Sequence, residues 1–205
     1  MKKVKFGIVG VGDFGVMHIQ ALKQLPEAEV HAVSCRTESR LKAICEKYKI
    51  PNWYTNVDDL MNDPEMDVII VATGEDTHYS FTEKAIREGK HVLLEKPICL
   101  NVEDGKKLLE LEQNTDLYIL PGHILRYDAS YNNAYRILQN EDMYGKILSI
   151  RVKRNVPIER FSLHSRTHPV FMALAHDIDI ITWLTNSRIK SVCGIQKKSK
   201  EEYRS

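Results

Sequence analysis

The stretch that decides the fold is Lys2-Lys-Val-Lys-Phe-Gly-Ile-Val-Gly-Val-Gly-Asp-Phe-Gly15, at the start of the chain. Its first part, Val4 to Val9, alternates basic with apolar residues and then becomes apolar, which is typical of a parallel strand that enters a core covered on both faces. Gly10, Gly12 and Gly15 follow at the G-x-G-x-x-G spacing. At this spacing the first glycine allows a tight turn, the second lets a pyrophosphate approach the backbone, and the third lets a helix pack closely.

The residues after this turn predict a helix. Asp13 and Phe14 would stand at its N-terminus, where their backbone amides face the phosphates. Three glycines alone do not establish a nucleotide site, but a strand before them and a helix after them favour dinucleotide binding over a merely structural turn. The apolar residues at helical spacing are Val16, Ile19, Leu22 and Leu25.

The composition excludes several classes of protein. The chain has 205 residues, of which 43% are hydrophobic, so it can bury a core. Its 29 Lys and Arg against 28 Asp and Glu give no overall charge that would recruit nucleic acid or an anionic membrane. The four cysteines, Cys35, Cys45, Cys99 and Cys193, are widely spaced and form no C-x-x-C pair, which argues against a disulfide framework and a zinc site. We therefore expect a cytoplasmic protein with no metal, no signal peptide and no membrane span.

The choice of cofactor depends on the end of a second predicted strand, Glu29 to Ser34. An acidic residue about twenty positions after the glycine turn would bind the ribose 2′-hydroxyl of NAD. Cys35 takes that place, and Arg36 follows it. Because no carboxylate repels a 2′-phosphate and an arginine can bind one, the sequence favours NADP over NAD, with Arg40 assisting. The alternative is that Arg36 is a solvated loop charge.

Two further predicted strands would bring polar residues to the edge of the sheet at which the glycine turn lies. The apolar run Asp67 to Ala72 ends at Thr73-Gly74, and the next predicted strand, His91 to Glu95, ends in Glu95-Lys96-Pro97. Since ligands of doubly wound sheets bind beyond the carboxyl ends of the strands, we expect Thr73, Gly74, Glu95 and Lys96 to line the cofactor site. The predicted class is α/β, with a doubly wound parallel sheet of the Rossmann type.

Six motifs spread over nearly the whole chain carry a more specific resemblance. They are Gly10-x-Gly12-x-x-Gly15, Ala72-Thr73-x-x-x-x-His78, Gly89-Lys-His-Val-x-x-Glu95-Lys96-Pro97, Gly122-His123-Ile-Leu-Arg126-Tyr127, Tyr144-Gly145-Lys-Ile and His176-Asp177-Ile-Asp179. Together they resemble the glucose-fructose oxidoreductase and inositol dehydrogenase superfamily. The resemblance implies an NAD(P)-dependent oxidoreductase that acts on a secondary hydroxyl of a sugar, cyclitol or nucleotide sugar. It also implies a Rossmann domain over residues 1–120 and a partial α+β domain for substrate binding and dimerisation over residues 121–205.

Lys96 is the first candidate for catalysis. Hydride transfer from a carbinol carbon to nicotinamide requires a group that takes the hydroxyl proton, and an amine beside the cofactor fits that role. The alternative is a surface lysine paired with Glu95, but the resemblance favours the site role for Lys96. A cis Lys96–Pro97 bond is also plausible from the sequence.

A second group of candidates lies on a predicted buried helix from Pro169 to Leu184. His176 and Asp179 are three residues apart and share a face, so Asp179 can orient the imidazole, and His176 can bind the substrate hydroxyl or assist proton transfer. The alternative is a core histidine with local partners. The resemblance implies an aspartate four residues before this histidine, where the chain has Met172, so the set of catalytic side chains is incomplete unless Asp177 or Asp179 substitutes.

The resemblance also places His78, His123 and Arg126 in the cofactor or substrate cleft. We predict that His78 binds the cofactor and that His123 and Arg126 bind the substrate, with a structural pair as the alternative for the last two. A basic loop with His164, Arg166 and His168 could reach the phosphate of a nucleotide sugar, although exposed loops are commonly charged.

Two strands are predicted late in the chain, over Arg151–Arg154 and Lys190–Ile195, with a polar tail after the second. The first alternates basic with apolar residues and suggests a solvated outer face. The resemblance implies that the second domain continues further, so we expect an exposed sheet edge, self-association and a homo-oligomer.

Two rival functions remain open. A dinucleotide-binding regulator that has lost catalysis is favoured by Met172 and the short second domain, and opposed by the presence of Lys96 and His176 together. A nucleic-acid module has only scattered basic residues to support it.

Overall fold

The strand predicted at the glycine turn is the first of six parallel strands in one sheet. The computed structural model describes residues 2–155 and 170–195 of the chain. The strand order is β3-β2-β1-β4-β5-β6, which confirms the predicted doubly wound sheet. The strands are β1 Val4–Val9, β2 Ala28–Ser34, β3 Asn52–Tyr54, β4 Val68–Val71, β5 His91–Leu94 and β6 Ile119–Pro121.

Residues from β1 and β4 show why these strands are so apolar. Ile8 pairs with Val33 on one side and with Ile70 on the other, so β1 is hydrogen-bonded along both of its edges. Successive side chains of a strand point to opposite faces. Ile8 accordingly packs into the apolar layer on one face of the sheet, and Val9 packs into the layer on the other face. A strand covered on both faces needs the continuous apolar run seen here.

Helices cover the sheet, and the first of them lies close to where the sequence predicts it. Helix α1 begins three residues earlier than the apolar periodicity indicates, because the glycine turn leads directly into it. A 3-10 turn, Glu75–Thr77, precedes the fourth helix. The helices of the first unit are α1 Asp13–Leu22, α2 Glu38–Tyr48, α3 Val57–Met61, α4 His78–Arg87 and α5 Val102–Gln113.

The chain divides into two compact units, one that ends at Gly122 and one that begins at His123. The described part of the second unit is helical, and within that part neither Arg151–Arg154 nor Lys190–Ile195 lies in a sheet. The two predicted strands are therefore wrong for these residues, because a strand requires a neighbouring strand to hydrogen-bond. The elements of this unit are a 3-10 turn Ile124–Tyr127, α6 Ala129–Leu138, α7 Glu141–Tyr144, a π-helical turn Val170–Leu174 and α8 Ala175–Thr185.

The helix predicted to be buried all round is buried on one face only. Asp177, Asp179 and Ile180 of α8 are buried, whereas Leu174 and Ile178 are each 43% exposed. Within the two described ranges, no helix has both the length and the apolar character needed to cross a membrane.

Candidate active site

The glycine turn between β1 and α1 has the geometry that the spacing predicts. Gly10 has a φ of +94°, in the left-handed region, and a Cβ there would lie 2.3 Å from the carbonyl oxygen of Ala72. A Cβ on Gly15 would lie 1.9 Å from the carbonyl oxygen of Gly10, so this glycine lets α1 pack against the turn. Around Gly12, by contrast, a Cβ would meet no described atom within 4 Å. The space in front of Gly12 is therefore open to a ligand.

The N-terminus of α1 faces this space without a side-chain cap. Gly12 is the N-cap residue and, having no side chain, leaves the amides of the first turn, including those of Asp13 and Phe14, without a side-chain acceptor. Backbone amides at a helix N-terminus bind anionic oxygens well, because the helix dipole adds to the hydrogen bonds. The open cradle and the uncapped helix fit the diphosphate of a dinucleotide.

The end of β2 lies directly beside this cradle. The amide of Gly10 donates to the carbonyl oxygen of Ser34 at 2.8 Å. Cys35 follows Ser34 and is half-buried, with its thiol 3.4 Å from the carbonyl oxygen of Thr37, and Arg36 is exposed. Cys35 and Arg36 therefore stand next to the glycine turn, at the edge where the adenosine ribose of a dinucleotide would lie.

Thr73, Gly74 and His78 surround the end of β4. The Thr73 hydroxyl contacts the Thr77 hydroxyl at 2.7 Å, and Gly74 begins the 3-10 turn. His78 is only 1% exposed, with Nδ1 2.6 Å from the carbonyl oxygen of Pro97 and Nε2 3.3 Å from that of Thr73. Because both ring nitrogens face backbone carbonyls, His78 joins the two loops that end β4 and β5, and its role in cofactor binding stays a prediction.

Glu95 and Lys96 follow β5, and the Lys96–Pro97 bond is cis. Glu95 is buried, and its Oε1 lies 2.8 Å from Nε2 of His18 on α1. Its Oε2 accepts a hydrogen bond from the Lys96 amide at 3.3 Å. Burial raises the pKa of Glu95, but the His18 contact and the nearby Lys96 outweigh it, and the net pKa is below its usual value. Both carboxylate oxygens thus face protein groups, and a role of Glu95 in cofactor binding stays a prediction.

Lys96 lies at the same edge as the phosphate cradle. Its Nζ is 5.7 Å from the ring centroid of Phe14, in the first turn of α1, and the residue is half-buried. A cation over an aromatic ring is held by the quadrupole of the ring. The first unit therefore brings together the glycine turn, Phe14 and Lys96, whereas the sequence placed Phe14 there only through its amide.

His18 is the residue of this site that the sequence did not single out. It lies four residues after Phe14, so the two side chains share one face of α1. A histidine at helical spacing from the glycine turn, on a helix with an otherwise apolar inner face, was the signal available. Its partner Glu95 is 77 residues away, which no local pattern reveals.

The second unit holds an ion pair between two of the predicted site residues. The Arg126 guanidinium binds Asp179 through Nη2 and through Nε, which is 3.2 and 3.0 Å from the two carboxylate oxygens. Hydrogen bonding to Asp179 raises the pKa of Arg126 above its usual value. A carboxylate held in this way by a guanidinium is a poor proton acceptor. Asp179 therefore anchors Arg126 in an ion pair, which is the structural alternative for Arg126, while the catalytic role of Asp179 and its contact with His176 stay predictions.

His123 lies beside this pair, with Nε2 3.7 Å from Asp179 Oδ1. Burial lowers the pKa of His123 and Arg126 lowers it further, while Asp179 raises it, and the net pKa is below its usual value. The imidazole is therefore held toward its neutral form.

Asp177 is engaged in a second bidentate ion pair. Arg154 donates to its two oxygens from Nε and Nη2, each at 2.7 Å. Arg154 was expected on a solvated strand; it is exposed, as expected, but lies in no strand, and its guanidinium binds Asp177. Asp177 and Asp179 thus both bind guanidinium groups, which argues against either as a substitute for the carboxylate missing at Met172. The side chain of Met172, like the basic loop with His164, Arg166 and His168, lies outside the described residues.

His176 is half-buried on α8. In the described ranges, no three histidine, cysteine, aspartate or glutamate side chains converge in a way that could hold a metal ion.

Comparison with known proteins agrees with this geometry. The profile of an oxidoreductase family with an NAD-binding Rossmann fold matches residues 4–123. The chain is 25% identical over 191 residues to myo-inositol 2-dehydrogenase of Thermotoga maritima, covering 92% of this chain and 57% of that protein. It is 29% identical over 192 residues to inositol 2-dehydrogenase of Salmonella typhimurium, covering 92% and 56%.

Solved structures give the same result. The crystal structure of apo scyllo-inositol dehydrogenase from Lactobacillus casei matches with a TM-score of 0.84 at 26% identity, over 90% of this chain and 55% of that one. The structure of scyllo-inositol dehydrogenase from the same organism with NAD(H) and scyllo-inositol bound matches with a TM-score of 0.82 at 25% identity, over 90% and 57%. The chain thus spans little more than half the length of the relatives it matches.

Proposed function

The chain belongs to the oxidoreductase family with an NAD-binding Rossmann fold, and on that premise we propose that it acts as a nicotinamide-dependent dehydrogenase on a secondary hydroxyl of a cyclitol or sugar. The observation that carries the proposal is the position of Lys96. Its Nζ lies 5.7 Å from the ring of Phe14, two residues after Gly12. An acid–base group and a phosphate cradle thus meet at one edge of the sheet, as the chemistry requires.

The proposed roles are binding of the cofactor phosphates, proton transfer, and binding of the substrate hydroxyls. When bound, the nicotinamide supplies the hydride acceptor. The amides of Asp13 and Phe14 bind the diphosphate at the open face of Gly12. Nζ of Lys96 takes the proton of the substrate hydroxyl, or returns it in the reverse reaction. In the second unit, we assign His176 and His123 to the substrate hydroxyls.

The cofactor we propose is NADP, although NAD(H) is the cofactor named for the scyllo-inositol dehydrogenase complex. Arg36 is exposed beside the glycine turn, and Cys35 leaves the ribose edge without the carboxylate that would repel a 2′-phosphate. A guanidinium can bind a phosphate by two hydrogen bonds. The relatives are named for inositols, which supports a cyclitol as substrate ahead of a nucleotide sugar.

The proposal is tested by replacing Lys96 with methionine. We expect turnover to fall roughly 10²- to 10⁴-fold, which is the usual contribution of a general acid–base group. We expect the dissociation constant of NADPH to change by less than about three-fold, because backbone amides bind the phosphates. The matched control is Lys107→Met, since Lys107 Nζ lies 5.4 Å from the ring of Tyr79 in a comparable contact. Full turnover in Lys96→Met, measured with a panel of cyclitols and sugars, would contradict the role of Lys96.

A dinucleotide-binding sensor is the second candidate, favoured by the ion pairs of Asp177 and Asp179, which argue against either carboxylate as a substitute for the one missing at Met172. The same panel separates the two functions. NADPH binding without oxidation or reduction in any pairing would favour the sensor.

A further inference from the structure

The carboxylate that precedes Lys96 is buried and depends on α1 for its partner. The side chains of Glu95 and His18 are only 11% and 21% exposed, so their 2.8 Å contact is largely shielded from water. A buried carboxylate is costly unless it is paired and hydrogen-bonded. Within the described residues, its other oxygen accepts a hydrogen bond from the amide of Lys96 itself, at 3.3 Å. His18 therefore has a direct influence on the residue next to the candidate acid–base group.

The Glu95 carboxylate lies beside Gly122 as well as beside His18 and the Lys96 amide. Gly122 lies against it, and a Cβ at that position would be 3.4 Å from Oε2 and 3.5 Å from the Cα of Glu95. A side chain at position 122 would therefore crowd the carboxylate, and glycine leaves it room. With His18 on Oε1 and the Lys96 amide on Oε2, both oxygens of the carboxylate are held.

One face of α1 thus contacts both residues of the Glu95-Lys96 pair. His18 binds the carboxylate of Glu95, and Phe14, one turn earlier, lies under the Nζ of Lys96. The same helix presents its uncapped N-terminus to the open cradle at Gly12. A shift of α1 would therefore move the phosphate cradle and the lysine together.

We propose that His18 is a positioning residue: by holding Glu95 it fixes the backbone of Lys96 and so sets where Nζ lies relative to the bound cofactor. The proposal rests on the proposed function of Lys96. His18 acts through Glu95 and does not touch the reacting atoms. Small displacements of a reacting group have large effects on rate, so loss of His18 reduces kcat rather than cofactor binding.

The experiment compares three variants of the whole chain. His18→Leu removes the contact with Glu95, and His18→Gln keeps a donor near the place of Nε2. His31→Leu is the matched control, because His31 is a similarly shielded histidine, 3.4 Å from Asp63 Oδ2, in β2. For each variant we measure thermal stability, the dissociation constant of NADPH, and kcat and KM with the best substrate of the unmodified chain.

A further readout does not depend on activity. The rate at which acetic anhydride labels Lys96 Nζ in the cofactor-free chain, followed by peptide mass spectrometry, reports the surroundings of the amine directly. In His18→Leu we expect this rate to change by about three-fold or more and kcat to fall roughly ten- to hundred-fold, with the dissociation constant of NADPH within about two-fold. His18→Gln should recover most of both values. His31→Leu should leave the labelling of Lys96 unchanged.

Two outcomes would overturn the proposal. One is a His18→Leu chain whose Lys96 labelling and kcat match those of His31→Leu at equal loss of stability. The other is a His18→Gln chain as impaired as His18→Leu. If His18→Leu does not fold, Glu95→Ala replaces it, because alanine removes the partner of His18, and unchanged Lys96 labelling in that variant would refute the proposal. If the unmodified chain shows no turnover with any substrate, the proposed function fails, while the labelling experiment still decides the role of His18.

Discussion

Replacement of Gly12 by alanine is expected to separate cofactor binding from folding. An added Cβ meets no described atom within 4 Å, and the φ of −70° and ψ of −167° suit any residue. Alanine at an N-cap in place of glycine costs about 1 kcal/mol, and the lower freedom of the unfolded chain offsets about 0.4–1 kcal/mol. The free energy of unfolding should therefore change by less than about 1 kcal/mol. The new methyl group nevertheless occupies the space at which the diphosphate meets the backbone, so affinity for NADPH should fall roughly ten-fold or more.

The same change at Gly15 should have the opposite result. There the Cβ would lie 1.9 Å from the carbonyl oxygen of Gly10, and relief requires a backbone shift of more than an ångström. Overpacking of this kind costs about 1–3 kcal/mol, and the helix propensity of alanine returns about 1 kcal/mol. Because a backbone oxygen cannot rotate away, the upper end of the range applies, and the net loss is about 2 kcal/mol. A chain of this size would then lose about 4–8 °C of Tm.

The two variants are compared by thermal unfolding without cofactor and by fluorescence titration with NADPH. We expect Gly12→Ala to keep its Tm within about 4 °C while it loses affinity for NADPH, and Gly15→Ala to unfold at a lower Tm. Two results would contradict this expectation: a Gly12→Ala chain that binds NADPH as tightly as the unmodified chain, or a Gly15→Ala chain that unfolds at the unmodified Tm. The first result would place the phosphates away from the turn, and the second would mean that α1 can move from β1 without cost.

Four other outcomes are expected. Arg36→Ala should weaken NADPH roughly ten-fold in fluorescence titrations and leave NADH unchanged, because only NADPH has the 2′-phosphate. Asp179→Asn should lower stability by about 1–2 kcal/mol in urea unfolding, since its guanidinium partner is 40% exposed and water screens part of the loss. The pKa of His123 in the folded chain lies below its usual 6.5. Its contribution to the free energy of unfolding is therefore complete above pH 6.5 and is lost as the pH falls through the lower pKa. In His123→Gln, unfolding curves measured over this pH range should lack that loss of stability. The chain should self-associate in sedimentation experiments, because Leu148 and Val192 are 97% and 84% exposed. Replacement of both residues by serine should give a species of lower mass.

The sequence predicts the sheet well because its signals are local. Glycines and short polar segments bound the apolar runs that form β1, β4 and β5. Because these runs are short and apolar throughout, they predict buried strands. The strands predicted over Arg151–Arg154 and Lys190–Ile195 show the limit of this reasoning. Their alternation suits a strand, but a strand exists only when another strand pairs with it, and the pattern of one segment carries no information about a partner.

The site was predicted in part for the same reason. Gly10, Gly12 and Gly15 lie next to one another, so their spacing alone implies the turn. The side-chain partners did not follow from spacing: Asp179 shares a helix face with His176, yet Arg126, 53 residues away, binds its carboxylate. Helical periodicity identifies which residues share a face, and it leaves open which distant charge that face meets.

The order of the strands explains why a glycine turn and a lysine about eighty residues later can serve one ligand. Strand β4 alone separates β1 from β5 in the sheet. Parallel neighbours lie about 4.8 Å apart, so the ends of β1 and β5 are about 10 Å apart, which a lysine side chain can largely bridge. All three strands run the same way, and the two loops therefore leave the sheet at one edge. Phe14 and His18, on one face of α1, contact Lys96 and Glu95 at the end of β5. A single helix therefore connects the glycine turn to the strand that carries Lys96.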